Sequence, residues 1–278
     1  YPATLGTAGV TEAAGYTYSY TPSSTYASYS LDLKSDATHY FATSGNKTPT
    51  TGSGNGLVAW WPYDGSVTEV VAGLQSTLYG ATPTNGQNGD TNGAYSFNGN
   101  NNRIDSPGIP PIVLNNAVRD YTFSFWYNAS HTGDSDVRFI LSRRTSDGSS
   151  STDYIFFIYS GYLTFGTGSG NDCSWPDSSA STNRVPEPSR NAWHHVVGTI
   201  SPTSSTAGQK TVWVDGQKIT DCTYSGKSTA GSADLHVGTR HSTGSGANYF
   251  QGSLDDLRMY NRILTDQEIE SLFSIGAQ

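Results

Sequence analysis

Five glutamates, Glu12, Glu69, Glu187, Glu268 and Glu270, are all that 278 residues offer toward the facing acid pair of glycoside hydrolysis, two carboxylates about 5–9 Å apart. Glu12 falls in a small N-terminal block, Glu69 and Glu187 in predicted loops, and the last two in a predicted terminal helix. Asp255 and Asp256 are adjacent on a predicted strand, so their side chains leave on opposite faces and do not form a facing pair. The same alternation separates His194 from His195. No Gly-x-Ser-x-Gly elbow occurs, and Cys173 and Cys222 have neither a Cys-x-x-Cys partner nor an evident base. These residues predict no catalytic centre.

They are better suited to binding. A hard cation such as Ca2+ takes six to eight oxygens from carboxylates, amides and carbonyls, and Asp64, Asp90, Asn98, Asn100, Asp105, Asp255 and Asp256 are the candidate donors. Such side chains also cap turns locally, which is the competing reading. Two long connections carry mixed aromatic and polar groups. Residues 166–190 hold Asp172, Trp175, Asp177, Asn183 and Arg184; residues 239–250 hold Arg240, His241 and Tyr249. An aromatic face beside amides and charges suits a sugar ring, whose CH face stacks while its hydroxyls take hydrogen bonds. The alternative is that Trp175 and Tyr249 pin their loops to the core.

Composition narrows the class. Thirty-one glycines, 18 tyrosines and only 14% charged residues read as a turn-rich β protein. A net charge of −8 with no basic stripe argues against nucleic acid as a partner. No apolar run is long enough to span a bilayer. The only methionine is Met259, so a leader or N-terminal anchor is expected upstream of Tyr1. The exported character of the composition predicts a disulfide between Cys173 and Cys222, with two unrelated thiols as the alternative.

The elements that must carry these groups follow from periodicity. Residues 1–45 form a small β block with three tyrosine-rich strands near residues 15–20, 26–33 and 38–43, and residues 46–55 read as a linker. From Gly56 onward, alternating runs predict a succession of strands, among them residues 57–63, 93–99, 121–127, 153–159, 193–200 and 252–260. Asp215-Gly216 between two such runs predicts a two-residue hairpin turn. Thr265-Asp-Gln-Glu268, followed by Ile269, Leu272 and Phe273, predicts a capped terminal helix.

Residues Asp120-Tyr-Thr-Phe-Ser-Phe-Trp-Tyr127, Trp193-His-His-Val-Val-Gly-Thr-Ile200 and Gly252-Ser-Leu-Asp-Asp-Leu-Arg-Met-Tyr-Asn261, in this order, resemble the laminin-G-like, concanavalin-A-like jelly-roll family. The resemblance covers residues 56–278 and implies an all-β, two-sheet antiparallel sandwich with one short C-terminal helix. It also implies that Trp-His-His is a scaffold signature and that a structural Ca2+ is held by Asn98 and by Asp255 or Asp256. Glucanases of this fold use a Glu-x-Asp-x-(x)-Glu strand, and no Glu-x-Asp occurs in this sequence. Tyr1-Pro-Ala-Thr-Leu5, with the tyrosine-rich strands ending in Leu31-Asp-Leu33 and Tyr40-Phe41-Ala-Thr43, resembles the head of a type IV pilin. The two resemblances together imply an extracellular, pilus-associated adhesin that contacts other pilus subunits and binds a glycan or cell-surface protein. Alternatives are an accessory carbohydrate-binding module of an extracellular enzyme and a structural filament subunit.

Overall fold

The computed structural model describes residues 17–20, 30–35, 38–43, 56–107, 120–144, 152–166, 184–204, 207–225, 234–240 and 248–276. The chain divides into two compact units, Tyr1–Gly56 and Leu57–Gln278. In the first, β1 (Thr17–Tyr20), β2 (Ser30–Ser35) and β3 (Thr38–Thr43) pair as an antiparallel sheet in that order. The predicted linker at 46–55 lies outside the described residues.

The second unit is a sandwich of two antiparallel sheets. One sheet has the order β12 (Tyr162–Gly166), β11 (Thr152–Tyr159), β10 (Arg138–Arg144), β16 (Leu235–Val237), β8 (Arg103–Ser106) and β5 (Thr77–Tyr79). The other runs β15 (Gln217–Ser225), β14 (Ala207–Val214), β13 (His194–Ser204), β9 (Tyr121–Ala129), β17 (Gln251–Tyr260), β7 (Ala94–Asn98) and β6 (Thr82–Thr84), with β4 (Leu57–Trp61) also paired to β17. This is the architecture that the jelly-roll resemblance implies, built largely from strands that the alternation predicts.

β9 is central and buried along nearly its whole length, and its two faces do different work. Phe123, Phe125 and Tyr127 point into the core between the sheets. There the Phe123 and Phe125 rings meet Phe156 edge-on at 6.2 and 5.1 Å, and Phe156 stacks on Phe165 at 4.2 Å. Burying each such ring contributes roughly 1.5–3 kcal/mol. On the opposite face, Thr122 Oγ1 donates to Arg262 O at 2.7 Å and accepts from Leu264 N at 3.1 Å. Trp126 stacks on Phe273 of α1 (Asp266–Gly276) at 5.8 Å.

Helix α1 starts where its capping box predicts. Glu268 N donates to Thr265 Oγ1 at 3.3 Å, and Thr265 N donates to Glu268 Oε2 at 2.8 Å. Arg262 adds a two-pronged contact to the same carboxylate at 2.7 and 2.6 Å. The helix lays Ile269 and Leu272 over Val197 and Trp213 of the large sheet. At the β14–β15 hairpin Asp215 and Gly216 take φ of 51° and 73°, the left-handed pair such a turn demands.

Two strands have little or no sequence signal. β5 and β6 are three residues each and largely exposed, so no buried period marks them. β15 is polar and lies at the sheet edge. Lys210 is another surprise. It lies on β14 with no exposure, and its ammonium reaches the Phe165 carbonyl of the facing sheet at 3.4 Å.

Two predictions follow from this packing. A Cβ on Gly198 would fall 2.9 Å from Phe165 Cε1 and closer still to Phe156 Cζ. Gly198→Ala therefore lowers unfolding stability by roughly 1–3 kcal/mol in urea denaturation, the cost of overpacking a dense core. His195 is buried beneath Trp126 and Phe273, with Nε2 2.8 Å from Ser124 Oγ. Burial drives its pKa from 6.5 down to about 4, with Arg258 lowering it further and Asp256 partly opposing. The unfolded chain thus takes up the proton first. The stability due to neutral His195 is complete above about pH 6.5 and is lost as pH falls to about 4, a change on the order of 3 kcal/mol. Urea titrations from pH 8 to 4 show this loss in the wild type and a flatter response in His195→Gln.

Candidate functional site

Strand direction brings several connections to one end of the sandwich. Tyr127 near the end of β9 pairs with His194 at the start of β13, and Ala129 pairs with Gly252 near the start of β17. The β11–β12 turn joins them: Ser160 N donates to Asp134 O at 3.1 Å and Glu187 N donates to Gly161 O at 2.9 Å.

Three of the sequence-derived binding residues, Arg184, Arg240 and Tyr249, fall within the described part of this end. Asp172, Trp175, Asp177, Asn183 and His241 lie outside the described residues. The three that are visible adjoin an aromatic strip on the outer face of the six-stranded sheet. Phe139 pairs across to Phe157 with rings 5.2 Å apart, in a cluster with Tyr159 that is separate from the inter-sheet core. Tyr159 is two residues beyond Phe157 and pairs with Tyr162, so the same face continues to β12. Arg184 flanks Tyr162, its guanidinium 4.9 Å from the ring centroid and Nη1 donating to Tyr162 Oη at 3.1 Å. Arg240 lies 5.7 Å from the Phe139 ring, and Tyr249 bridges to Phe139 through the backbone. Tyr159, Tyr162, Arg184, Arg240 and Tyr249 are all partly exposed. Phe139 and Phe157 themselves are buried, so it is the Tyr159 and Tyr162 rings, with the two guanidiniums, that can stack on a ligand and direct hydrogen bonds at its edge.

Beside the strip lies a charged cluster the sequence did not reveal. His131 and Asp134 come from the β9–β10 connection, and Glu187 and Arg190 from the segment leading into β13. Arg190 Nη2 contacts Asp134 Oδ1 and lies 2.8 Å from Glu187 Oε2, while its Nε donates to Glu187 Oε1 at 3.2 Å. His131 Nε2 lies 3.3 Å from the same oxygen. Burial pushes the Glu187 carboxyl upward, but the adjacent His131 imidazole and Arg190 guanidinium prevail and hold it below its ordinary value. The only hint in the sequence is the His131-Thr-Gly-Asp134 spacing.

A Ser–His–Asp alignment also occurs here. Ser189 Oγ lies 2.8 Å from His194 Nε2, and His194 Nδ1 lies 2.8 Å from Asp215 Oδ2. Nε2 also faces the Ser189 carbonyl at 3.0 Å, and Asp215 raises the His194 pKa. An imidazole drawn toward its protonated form, donating to a carbonyl, is poorly placed to take a proton from serine. Asp215 accepts from His195 N at 2.9 Å as well, so the arrangement clasps the segment before β13 to the hairpin turn. The two histidines diverge as alternation predicts.

The acidic residues have specific partners. Asn98 Oδ1 accepts from the amides of Asn100, Asn101 and Asn102 at 2.9, 3.1 and 3.3 Å, the turn-capping role of the competing reading. Asp256 accepts from Trp60 Nε1 at 2.6 Å and pairs with Arg258. Glu69, with no exposure, caps a turn through the amides of Val71 and Ala72 at 2.6 and 2.7 Å. Asp255, also without exposure, accepts from Gln87 N at 3.1 Å. A Cβ on Gly86 would lie 2.5 Å from Asp90 Oδ1 and 3.0 Å from Asp255 Oδ2, so two carboxylates face one point. Cys222 is disulfide-bonded; Cys173, the other cysteine of the sequence, lies outside the described residues.

No curated protein matches the sequence. Among solved structures, domain 4 of AbnA, a GH43 extracellular arabinanase from Geobacillus stearothermophilus, superposes with a TM-score of 0.54 at 16% identity, over 78% of this chain and 97% of that one. The binding domain of Paraclostridial Mosquitocidal Protein 1 gives 0.56 at 18% identity, and a botulinum neurotoxin type C structure gives 0.56 at 13%. Each covers 79% of this chain, which spans only 52% and 50% of the two toxin chains. At such identities the likeness is one of fold. A laminin-G-like family profile, described as the concanavalin A-like lectin/glucanases superfamily, matches residues 98–270. With the profile spanning more than half of the sequence, the chain belongs to that superfamily.

Proposed function

We propose that Leu57–Gln278 is a non-catalytic glycan-binding module displayed outside the cell, with the partly exposed Tyr159, Tyr162, Arg184 and Arg240 as its contact surface. The observation that carries this reading is the placement of Arg184 and Arg240 at the two ends of one aromatic strip. Support comes also from the superposed proteins: the arabinanase domain was solved with arabinotriose, and cell entry of botulinum neurotoxin type C depends on two ganglioside molecules. In the adhesin form of the proposal, Tyr1–Gly56 is a pilin-like head that joins the module to other pilus subunits.

A second reading, an accessory module of an extracellular enzyme, is favoured by the overlap with 97% of one arabinanase domain. The gene sequence upstream of Tyr1 separates the two: a cleaved leader with an apolar helix supports the pilus form, and a catalytic domain supports the accessory form.

For calcium, the Asp90 and Asp255 oxygens around Gly86 fit a hard, oxygen-seeking cation. The proposed ligand pair is Asp255, one of the residues that the resemblance implies, with Asp90, whose oxygens face the same point beside Gly86. A Ca2+ ion there would tie the loop carrying Asp90 to β17 and neutralise adjacent carboxylates. Millimolar Ca2+ then raises the melting temperature over EDTA by a few degrees in the wild type and has no effect in Asp90→Asn. An equal shift in both proteins removes this pair from consideration.

Glycan arrays and calorimetry with arabino-oligosaccharides and gangliosides test the binding surface. Tyr162→Ala and Arg184→Ala each weaken the best ligand at least about tenfold, ~1.4 kcal/mol, with far-UV circular dichroism unchanged. Failure of every array to bind, or full affinity in both variants, overturns the assignment.

A further inference from the structure

The His131–Glu187–Asp134 cluster has a chemistry that glycan binding does not use. The His131 side chain has no exposure, and neither ring nitrogen makes a hydrogen bond. A buried imidazole in that state is costly, because each ring nitrogen has given up water without gaining a partner. Its Nε2 lies only 3.3 Å from Glu187 Oε1 but off the line of a hydrogen bond. One donor atom from each of His131, Asp134 and Glu187 falls within 4.8 Å of the other two.

We propose that these three side chains bind a divalent transition metal of the Zn2+ class, in competition with Arg190. Around a tetrahedral ion with bonds of about 2.0–2.1 Å, neighbouring donors stand about 3.3 Å apart, the separation that His131 and Glu187 already have. One nitrogen and two carboxylate oxygens select Zn2+ and its neighbours over Ca2+, which prefers an all-oxygen shell. Asp134 completes the set by a small movement, since its side chain is 56% exposed on the connection between β9 and β10. The fourth position is left to water or to a donor from a ligand.

The guanidinium of Arg190 occupies the same carboxylate lone pairs in the metal-free protein. It neutralises Glu187 and Asp134 when no metal is there, and its 27% exposure gives it a route into solvent when the ion arrives. Metal uptake and release of Arg190 are therefore one exchange: a cation leaves the carboxylates as another enters. This sets the site apart from the Asp90–Asp255 pair, which contains no nitrogen donor, and the proposal does not depend on the glycan reading.

Isothermal titration of the EDTA-stripped full chain with Zn2+, followed by Co2+ as a spectroscopic probe, tests the exchange. The expected result is one Zn2+ per chain, a rise in melting temperature, and a visible Co2+ absorption characteristic of low coordination. His131→Gln and Glu187→Gln weaken Zn2+ at least about tenfold, while Arg190→Ala tightens it by removing the competitor. If His131→Gln does not fold, Glu187→Gln and Asp134→Asn carry the same comparison. Absence of stoichiometric Zn2+ binding overturns the proposal. So does affinity unchanged in Glu187→Gln and Asp134→Asn, which would place the ion on other histidines. Weaker binding in Arg190→Ala would make Arg190 a structural support and overturn the exchange.

Discussion

The sandwich depends on the contact where Phe156 and Phe165 stack against the edges of Phe123 and Phe125. Four rings from two sheets fit there only because Gly198 offers no side chain on the neighbouring strand. Dense packing fixes the spacing of the sheets and so the relative height of the connections between β9, β10, β12 and β13. Aromatic residues on the outer face are a separate investment. Phe139 and Phe157 are buried in a cluster of their own, apart from the main core.

Polar groups inside this framework are handled locally. Glu69, Asn98, Asp256 and Glu268 each accept from nearby amides, an indole or an arginine, so they tie turns and termini to the sheets. Among the described residues, Asp134 and Glu187 instead lie where connections meet. The edge strand β15 is also protected, with Lys218 paired to Asp221 and lying over Trp213, as a charged edge discourages pairing with a second chain.

Sequence was most informative where one segment contains its own instructions. Asp215-Gly216 specifies its turn, Thr265 with Glu268 specifies a helix start, and the alternation of β9 places Phe123 and Phe125 inside. It was silent on β5 and β6 because neither buries a periodic face. The end of the sandwich that carries Arg184, Arg240 and Tyr249 was half legible. Arg184, Arg240 and Tyr249 stood out as polar and aromatic residues on long connections, but the strip they flank needs the pairing of β10, β11 and β12. His131, Glu187 and Arg190 come from connections far apart in the chain, and only the fold places them together. The cation donors were named by type, yet Asn98 and Asp256 proved to be engaged in capping and ion pairing, something composition does not disclose.

Asp215 illustrates how closely shape and charge can be merged. Asn-Gly would bend this hairpin just as well, but an amide cannot supply the negative charge that holds His194 and still receive the amide of His195 in the same way. The residue is thus answerable to two masters, backbone curvature and proton affinity. Natural variation at this corner should be narrower than the geometry of the bend alone would require.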